Sequence, residues 1–515
     1  MKWDPVVCEC NVVDYLLADK PQDRVALCTL RGDFTYHDLQ VASLEFAKLL
    51  VRKGCCKGDR VVILGNNTFH WVAAYFGILR AGMVCVPLSN TVSTQELDWV
   101  IRDTEATMAF VENRCRLRYE PLLQNAGIRI LHESGTQGES YFAGGSDRDA
   151  GRGGSLPNVA ATDLAALMFT SGSTGTPRGV MVSHGNIVAN TNSIIAAVEL
   201  HETDRMMVVL PFHYCFGASL LHTYLKIGAT LVLDNRFAYP DVVLQRMQET
   251  ECTAFAGVPS HYQILLRNSS LATRNLPRLR SLLQAGGHLA PSFLRELQVA
   301  LPGARIFVMY GQTEATARLS CLSPEMVALR PDSVGKAIPG VKLRVLKASG
   351  EEVTPGEVGE ITAEGDNIAQ GYWRCAAETD NSFRNGRLYT GDLATVDADG
   401  YIRIVDRVRD FLKRGGTRVS IRYIEDRILE CSELLEVAIV GVPDEVLGEA
   451  IRAFVVPRSL EDVECEKLLR VFCKKELPSS LQPRDIVVVH ALPKNSSGKL
   501  LREKLKNMHF GTSQE

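Results

Sequence analysis

The sequence predicts an α/β fold with a large N-terminal domain of mostly parallel sheets flanked by helices, a β-rich subdomain, and a small α+β C-terminal domain. Three observations predict it. Helical periodicity alternates with short β-branched runs from residue 35 onwards, which is typical of parallel sheets covered by helices. Residues 357–404 change to short strands between glycine turns. The 515 residues exceed the roughly 100–200 residues of one domain.

The first elements follow from the spacing of apolar residues. Residues 35–54 predict a helix because Leu39, Ala42, Phe46 and Leu50 recur at helical spacing. Further along, the same reasoning predicts a helix at 68–81 and strands at 59–64, 83–87, 208–210, 230–233, 254–256 and 305–309. Residues 135–158 are rich in Gly, Ser and Asp, and we expect an exposed loop there.

The later pattern predicts where the chain divides. A β-rich subdomain is expected at about 335–406, and residues 406–410 form a charged joint. We therefore expect two domains, at 1–406 and 407–515. In the second domain, the spacing predicts a helix at 421–431, a helix that ends at residue 478, and strands at 437–442, 450–456 and 486–490.

Composition excludes several classes of protein. The 57 basic and 60 acidic residues give a net charge of -3, so there is no charge signature for nucleic acid or an anionic membrane. The sequence has no apolar run of the ~20 residues that a membrane span needs, and its first residues lack the apolar core of a signal peptide. The 14 cysteines are scattered without zinc spacing. We expect reduced thiols and a cytoplasmic location.

The sharpest motif is T-S-G-S-T-G-T-P-R-G at residues 170–179. Its glycines allow close approach of the backbone to a ligand, and its hydroxyls and amides can donate to phosphate oxygens. Arg178 adds a fixed positive charge with a planar set of donors. The motif is not a Walker A loop, because no Lys-Ser or Lys-Thr pair follows the glycines. The residues therefore predict a phosphate-binding loop of another kind.

This loop resembles the phosphate-binding signature of the adenylate-forming superfamily, which includes acyl-CoA synthetases, peptide-synthetase adenylation domains and firefly luciferases. The resemblance extends from about residue 35 to residue 502. Further motifs occur in the family's order: A-G-G at 285–287, Y-G-Q-T-E at 310–314, Y-T-G-D at 389–392, D-R-V-R at 406–409 and P-K-N-S-S-G-K at 493–499. The resemblance makes residues 1–406 the adenylation core and residues 407–515 a mobile C-terminal domain.

The resemblance implies a site for ATP and Mg²⁺. Tyr310 is expected to pack against adenine, and Asp392 and Arg407 to contact the ribose. Glu314 and Thr170 are expected to hold Mg²⁺, which prefers oxygen ligands. The other residues expected to bind the nucleotide are Ser171, Gly172, Ser173, Thr174, Gly175, Gly286, Gly287, Gly311 and Gln312.

Four residues are expected to take part in catalysis by the same resemblance. Lys499, Arg178 and Thr313 would stabilise charge at the α-phosphate while the acid attacks it. His213, in the segment L-P-F-H-Y-C-F-G at 210–217, would lie near the substrate carboxylate and the thiol tunnel. The domain rotation between the two half-reactions implies a hinge at Arg409 and a thioester-forming face with Lys413, Gly415 and Gly416.

The segment at 210–219 also bears on the substrate. Amino-acid-activating relatives carry an Asp there for the substrate amine, and this chain has no acid in the segment. A buried ammonium without a partner is costly, which disfavours an α-amino acid. Val258, Tyr262, His288 and Ala317 are expected to line the acid pocket. These residues suggest a fatty or aryl acid without separating the two.

The sequence therefore predicts an AMP-forming acyl-CoA synthetase, with ATP, Mg²⁺ and CoA as its cofactors and a small carboxylic acid as its substrate. The adenylation motifs leave three alternatives open. The acceptor could be a separate carrier protein in place of CoA. The chain could be a non-catalytic scaffold that binds nucleotide. A luciferase-type oxygenation is the remotest alternative.

Overall fold

The computed structural model of the protein describes residues 11–133, 141–143, 155–171, 177–407, 411–414, 417–444, 448–494, 500–506 and 508. The side chains of residues 171, 406, 407, 411, 413, 414, 417 and 418 lie outside this description. No helix in these ranges combines the length and the apolar character needed to cross a membrane. Every cysteine within the same ranges is a free thiol.

The strands are short and many. In chain order they are β1 (Val25–Thr29), β2 (Gly32–Thr35), β3 (Arg60–Leu64), β4 (Val84–Leu88), β5 (Met108–Val111), β6 (Arg129–Glu133), β7 (Phe142–Ala143), β8 (Leu164–Ser171), β9 (Pro177–Ser183), β10 (Arg205–Val208), β11 (Thr230–Leu233), β12 (Ala254–Gly257), β13 (Ser281–Gln284), β14 (Arg305–Tyr310), β15 (Ser320–Leu322), β16 (Lys336–Ala337), β17 (Lys342–Leu346), β18 (Gly359–Glu364), β19 (Phe383–Arg384), β20 (Arg387–Val396), β21 (Ile402–Arg407), β22 (Phe411–Arg414), β23 (Thr417–Ser420), β24 (Leu434–Asp444), β25 (Gly448–Pro457) and β26 (Asp485–Val488).

Helices connect most of these strands. The α-helices are α1 (Val12–Leu17), α2 (Tyr36–Arg52), α3 (Phe69–Arg80), α4 (Thr94–Thr104), α5 (Arg116–Asn125), α6 (His184–Val198), α7 (Cys215–Lys226), α8 (Pro240–Glu249), α9 (Pro259–Arg267), α10 (Pro291–Ala300), α11 (Pro324–Val327), α12 (Ala376–Ser382), α13 (Ile421–Ile428), α14 (Asp462–Glu476) and α15 (Arg502–Lys506). Short 3₁₀ turns occur at Asn113–Cys115, Leu271–Thr273, Thr313–Ala315 and Ser479–Leu481.

Two large sheets carry the first part of the chain. A nine-stranded sheet has the order β16-β15-β14-β13-β12-β10-β11-β1-β2, and a seven-stranded sheet has the order β7-β6-β5-β3-β4-β8-β9. Their central strands are parallel, and antiparallel pairs occur at the edges. One hydrophobic cluster joins residues of both sheets with residues of α1, α2, α3, α6 and α7. The predicted α/β class is confirmed.

Two smaller sheets follow. Strands β17 to β21 form an antiparallel five-stranded sheet, and β22 to β26 form a second five-stranded sheet that packs with α13 and α14. The β-rich region predicted from residue 357 onwards is therefore present. The division between residues 406 and 407, and the mobility of the second domain, stay predictions.

Most predicted elements agree with the structure because local signals fix them. Helix α2 begins after Thr35, whose side chain accepts a hydrogen bond from the Asp38 amide while the Asp38 carboxylate accepts one from the Thr35 amide. This reciprocal cap specifies the start of a helix from sequence alone. The helix predicted at 421–431 ends early, because Cys431 N donates to Ile428 O in a tighter turn.

The strand predicted at 208–210 is wrong in its position. The strand is Arg205–Val208, and the chain then leaves the sheet. Asn67 causes this departure, since its Nδ2 donates to Leu210 O (2.8 Å) and its Oδ1 accepts from Phe212 N (2.9 Å). A side chain far away in the sequence thus supplies the hydrogen bonds that a neighbouring strand would have supplied.

The loop predicted at 135–158 agrees with the structure at residues 155–158, which form no helix or strand, and is wrong at residues 142–143. Phe142–Ala143 forms β7 and pairs with β6. The Phe142 ring is buried, and its centroid lies 4.5 Å from that of Phe46. A single apolar side chain therefore returns this segment to the core. Residues 134–140 and 144–154 lie outside the described residues.

Helices α2 and α3 approach closely at Gly77. A Cβ atom there would lie 2.7 Å from the Phe46 Cβ and 2.9 Å from the Ser43 carbonyl oxygen. We predict that Gly77→Ala lowers the melting temperature, because overpacking costs about 1–3 kcal/mol and outweighs a helix-propensity gain of about 1 kcal/mol.

Gly303→Ala is the matched control for this measurement by thermal denaturation. A Cβ at Gly303 meets nothing within 4 Å, so its melting temperature should stay near that of the wild type. A Gly77→Ala variant as stable as the Gly303→Ala variant would contradict the packing argument.

Candidate active site

The predicted phosphate loop is a β-hairpin. Strands β8 and β9 pair antiparallel, so that Thr170 lies opposite Arg178 and Ser171 opposite Pro177. The loop residues Gly172, Ser173, Thr174 and Gly175 lie outside the described residues. The hairpin therefore brings the predicted metal residue Thr170 and the predicted catalytic residue Arg178 to the two sides of the loop's base.

Arg178 and Glu314 meet through an aromatic residue that the sequence reasoning missed. The Arg178 guanidinium carbon lies 5.7 Å from the centroid of the Tyr372 ring, and its Nη2 lies 3.6 Å from Glu378 Oε1. The Tyr372 hydroxyl donates to Glu314 Oε1 (2.8 Å). Burial, followed by the nearby Glu314 charge, raises the pKa of Tyr372, so that it remains a donor. The result is a row of cation, ring and carboxylate.

Backbone hydrogen bonds hold this row in place. Trp373 N donates to Gly179 O (2.8 Å), beside Arg178, and Ala369 N donates to Glu314 O (2.9 Å). The strip of residues 369–373 thus bridges β9 and the turn that carries Glu314. Its only sequence signal is the short G-Y-W run at 371–373, which does not by itself point to a ligand.

The residues that the resemblance assigns to the nucleoside also come together. Tyr310 ends β14, and its hydroxyl donates to Asp392 Oδ2 in β20 (2.7 Å). Both side chains are buried. In the pairing of β20 with β21, Arg407 lies opposite Asp392, although its side chain is not described. The carboxyl end of a parallel strand is where α/β sheets commonly bind ligands.

Three glycines here leave little or no room for a side chain. A Cβ at Gly311 would lie 1.9 Å from the Ala317 carbonyl oxygen. Gly286 has φ +81°, and a Cβ there would lie 2.9 Å from Val258 Cγ1, while one at Gly287 would touch the Pro259 ring. The A-G-G turn and the β14 turn are therefore shaped by the absence of side chains, as expected for a surface that a flat base approaches.

The side chain of Gln312, next to Gly311, is suited to contact a bound ligand. Its Nε2 is buried and has no hydrogen-bond partner in the part of the chain that the structure describes. A buried donor without an acceptor is costly, and a bound nucleotide offers acceptors. The orphaned amide is the observation of this structure that best matches the predicted nucleotide role.

A single carboxylate at the site also suits Mg²⁺. No group of three or more His, Cys, Asp and Glu forms a metal cluster within the described ranges. Magnesium keeps several waters and is usually bound by one or two carboxylates with substrate phosphates. Glu314, oriented by Tyr372, and Thr170 would hold such an ion.

A cavity opens beside the turn that follows β14. Thr313 Oγ1 donates to Cys215 Sγ (3.4 Å), and Cys215 lines the cavity. The other lining residues are Tyr75, Ala166, Met168, Val182, Ile187, Asn190, Thr191, Ile194, Ala218, Ser219, His222, Thr316 and Ala317. None of the described lining residues is acidic.

The cavity tests the predicted pocket residues. Ala317 lines it, as expected. Tyr262 does not, because it is packed in a separate hydrophobic cluster with its hydroxyl donating to Leu283 O (2.9 Å). His288 contacts the C-terminal region instead. His213 precedes Cys215 by two residues, and burial lowers the pKa of His213 to about 4, which makes it neutral near pH 7.

The Lys499 loop is anchored at both ends, although residues 495–499 lie outside the described residues. Lys494 and Leu500 form an antiparallel bridge. Lys494 also pairs with Glu436 on β24, and Arg502 pairs with Glu425 through Nη2 and Oε2 (2.9 Å). Burial and then the charge of Lys494 lower the pKa of His261 to about 3, which is consistent with a loop base near α9.

Helix α13 contacts the adenylation part of the chain at the A-G-G turn. His288 Nε2 donates to Asp426 Oδ1 (2.8 Å), and Arg422 donates to His288 Nδ1. Burial, followed by the nearby Arg422 charge, lowers the pKa of His288. The predicted hinge and thioester-face residues Arg409, Gly415 and Gly416 lie outside the described residues, as does the side chain of Lys413.

Comparisons with known proteins agree with this geometry. The model of AMP-binding enzymes matches residues 16–373, and that of the AMP-binding enzyme C-terminal domain matches residues 423–499. Feruloyl-CoA synthase from Amycolatopsis is 32% identical over 93% of this chain and 94% of its own. Long-chain-fatty-acid–CoA ligase from Salmonella typhimurium is 30% identical over 95% of this chain and 92% of its own.

A solved structure is similar over the whole fold. It is o-succinylbenzoate CoA synthetase from Bacillus subtilis in complex with ATP and magnesium ion, with a TM-score of 0.83 and 26% identity. The match covers 96% of this chain and 99% of that chain.

Removal of the Tyr310 hydroxyl tests the predicted nucleoside site. In Tyr310→Phe, the buried Asp392 carboxylate loses one donor. Loss of a hydrogen bond to a buried charge costs about 1–3 kcal/mol, so we predict that ATP binds about 5- to 150-fold more weakly by calorimetry. Tyr239→Phe, at an exposed position, is the control. Equal affinity for ATP in both variants would contradict a role of Tyr310 in nucleotide binding.

The contact between His288 and helix α13 is predicted to depend on pH. Its pKa is lowered here from 6.5, so protonation favours the separated arrangement. The contact is favourable above pH 6.5 and weakens as the pH falls through the lowered pKa. Protonated His288 would face Arg422 as a like charge, with Asp426 and Glu425 opposing the effect.

Hydrogen exchange in α13 measures this effect. We predict faster exchange at about pH 5.5 than at about pH 7.5, after correction for intrinsic rates. His288→Gln should lose the difference between the two pH values. A wild-type helix that is equally protected at both values would contradict the prediction.

Proposed function

Because the chain belongs to the AMP-binding enzyme family and is an adenylate-forming ligase, we propose that it joins a carboxylic acid to coenzyme A through an acyl-adenylate. The observation that carries the proposal is the convergence of three parts of the chain at the end of β14. The Tyr310–Asp392 hydrogen bond supplies the nucleoside end, and the row Arg178, Tyr372 and Glu314 supplies the phosphate end.

In the first half-reaction, an oxygen of the acid attacks the α-phosphorus of ATP. The bond to the bridging oxygen breaks, and pyrophosphate leaves. Arg178 and Lys499 stabilise the negative charge that develops on the phosphate oxygens. Bound Mg²⁺ would neutralise phosphate charge as well, held by Glu314 and Thr170. The stacking of Arg178 on Tyr372 holds its guanidinium in place before the substrates arrive.

In the second half-reaction, the sulfur of coenzyme A attacks the acyl carbon, and AMP leaves. We propose that the region after residue 406 rotates about Arg409 between the two steps and presents Lys413, Gly415 and Gly416. His213, neutral near pH 7, lies two residues from the cavity wall and would orient the carboxylate by a hydrogen bond without fixing a charge beside it.

The cavity beside Thr313 is the proposed acid pocket. Its described lining is mostly apolar with a few polar groups, as is common for small-ligand sites. This lining is compatible with both the fatty and the aryl acids that the sequence left open. No acid occurs among the described lining residues, which supports the exclusion of α-amino acids. The cytoplasmic location stays a prediction.

Lys499→Ala tests the adenylation step, with Lys504→Ala as the matched control. Lys504 is exposed and five positions further along the same basic segment. We predict that Lys499→Ala lowers acid-dependent exchange of pyrophosphate into ATP by about 100- to 1,000-fold, as expected when a preorganised charge is removed, while Lys504→Ala retains it.

Mass spectrometry with and without coenzyme A separates the alternatives. An acyl-adenylate that converts to acyl-CoA supports the proposal. An adenylate that persists with coenzyme A would move the acceptor to a carrier protein. Nucleotide binding without adenylate from a broad panel of acids would favour the scaffold. Wild-type exchange in Lys499→Ala would contradict the mechanism.

A further inference from the structure

Arg318 is a buried cation that has no ion pair among the described residues. Its exposed fraction is 2%, and its Nε has no hydrogen-bond partner among the described residues. Nη2 donates to Ser219 Oγ over 3.3 Å, and the guanidinium carbon lies 4.3 Å from the centroid of the Phe216 ring. Burial lowers the pKa of Arg318 to about 10, which still leaves it charged near pH 7. It has no ion pair with any described acid.

Such an arrangement is unusual, because buried charges are normally paired. The contrast with a second buried arginine of this chain is clear. Arg267 has an exposed fraction of 6%, and its Nη2 lies 2.6 Å from Glu296 Oε1. A hydroxyl and an aromatic ring satisfy the Arg318 guanidinium only in part. The site therefore has the charge to accept an anion that the described residues do not supply.

The backbone of Arg318 is fixed from two sides. Asn190 Oδ1 accepts from Arg318 N (3.2 Å), and Asn190 Nδ2 donates to Arg318 O (3.0 Å). Asn367 Nδ2 donates to the same carbonyl oxygen (3.1 Å). Thr316, two positions earlier, has φ +65°, which is strained for a β-branched residue. The protein thus holds Arg318 in one place at a conformational cost.

That place is directly behind the proposed acid pocket. Ser219, which receives the Arg318 hydrogen bond, lines the cavity, as do Asn190 and the adjacent Ala317. The lining also includes polar groups that are neutral near pH 7. His222 is one of them, because burial lowers its pKa to about 3. Arg318 is therefore a fixed positive charge beside a wall that has hydrogen-bonding groups and no acid among its described residues.

From this arrangement we propose that the acid carries a second carboxylate, and that Arg318 selects it through the wall at Ser219. The substrate class is an aliphatic or aryl dicarboxylic acid. One carboxylate faces Thr313 and reacts, and the other accepts hydrogen bonds at the Ser219 side of the cavity, where Arg318 neutralises its charge. This inference rests on the proposed ligase function and narrows its substrate.

Matched pairs of acids test the selection. We would measure kcat/KM for pyrophosphate exchange with each diacid and with the monoacid of the same length, such as glutarate and pentanoate or isophthalate and benzoate. The wild type should prefer the diacid by at least about 100-fold, because a site built for a polar group rejects an analogue that lacks it. Arg318→Met should lower that ratio by at least about 100-fold and leave the KM for ATP unchanged.

Stability measurements separate selection from misfolding. Arg318→Met has a similar volume and removes an unpaired charge, so its melting temperature should equal or exceed that of the wild type. The control is Arg280→Met, which breaks a pair with the buried Asp204 (2.6 Å) at the start of β13. This control should melt at a lower temperature and keep the diacid preference.

The outcomes are distinguishable. A wild type that prefers monoacids, with an unchanged ratio in Arg318→Met, overturns the dicarboxylate inference and leaves the ligase function standing. An equal loss for both acids in Arg318→Met also overturns it, because Arg318 would then act on the common reaction. Exchange with no acid of either class would overturn the ligase function itself.

Discussion

The hydrogen bond from Tyr310 to Asp392 joins the end of β14 in the nine-stranded sheet to β20 in the β-rich sheet. Both partners are buried, so the bond is made where water cannot replace it. The strip at 369–373 then connects the same turn to the β8–β9 hairpin. Three regions of the chain therefore meet at one edge of the nine-stranded sheet. The position of each site residue depends on how these regions pack together. These hydrogen bonds position Tyr310, Asp392 and Glu314 in the protein without a nucleotide, and groups positioned in advance stabilise a transition state well.

The phosphate end and the acid end of the candidate site differ in their charged groups. At the phosphate end, Arg178 and Glu314 are half-buried, and both contact Tyr372. At the acid end, His213 and His222 are neutral near pH 7 because burial disfavours their protonated forms. Arg318 is the exception there, since guanidinium keeps its proton even when buried. The acid end thus combines a lining without acids among its described residues with a cation on one side, which gives the pocket an orientation.

Much of the fold could be predicted because its signals are local. The reciprocal cap at Thr35 and the apolar spacing of α2 lie within one stretch of sequence, and so do the glycines of the phosphate loop. The missed and wrong predictions share one cause, which is that the deciding hydrogen-bond partner is distant in the sequence. Tyr372 acquires its role from Glu314, 58 positions earlier, and the end of β10 is set by Asn67, 143 positions before Leu210. Nothing near Arg318 in the sequence shows that it lacks an acid, since that depends on the packing of α6 and α7 around it.

The turn at Thr316 is a strained backbone segment beside the acid pocket. Ala317 N donates to Ala315 O (2.7 Å) around a threonine with φ +65° and ψ -53°, a three-residue turn that is rare outside strained sites. Such a residue costs roughly 1–3 kcal/mol, which the surrounding contacts must offset. A more relaxed turn would make a more stable protein and would also release the backbone that presents Arg318. Selection for thermostability and selection for substrate discrimination therefore oppose each other at this one position.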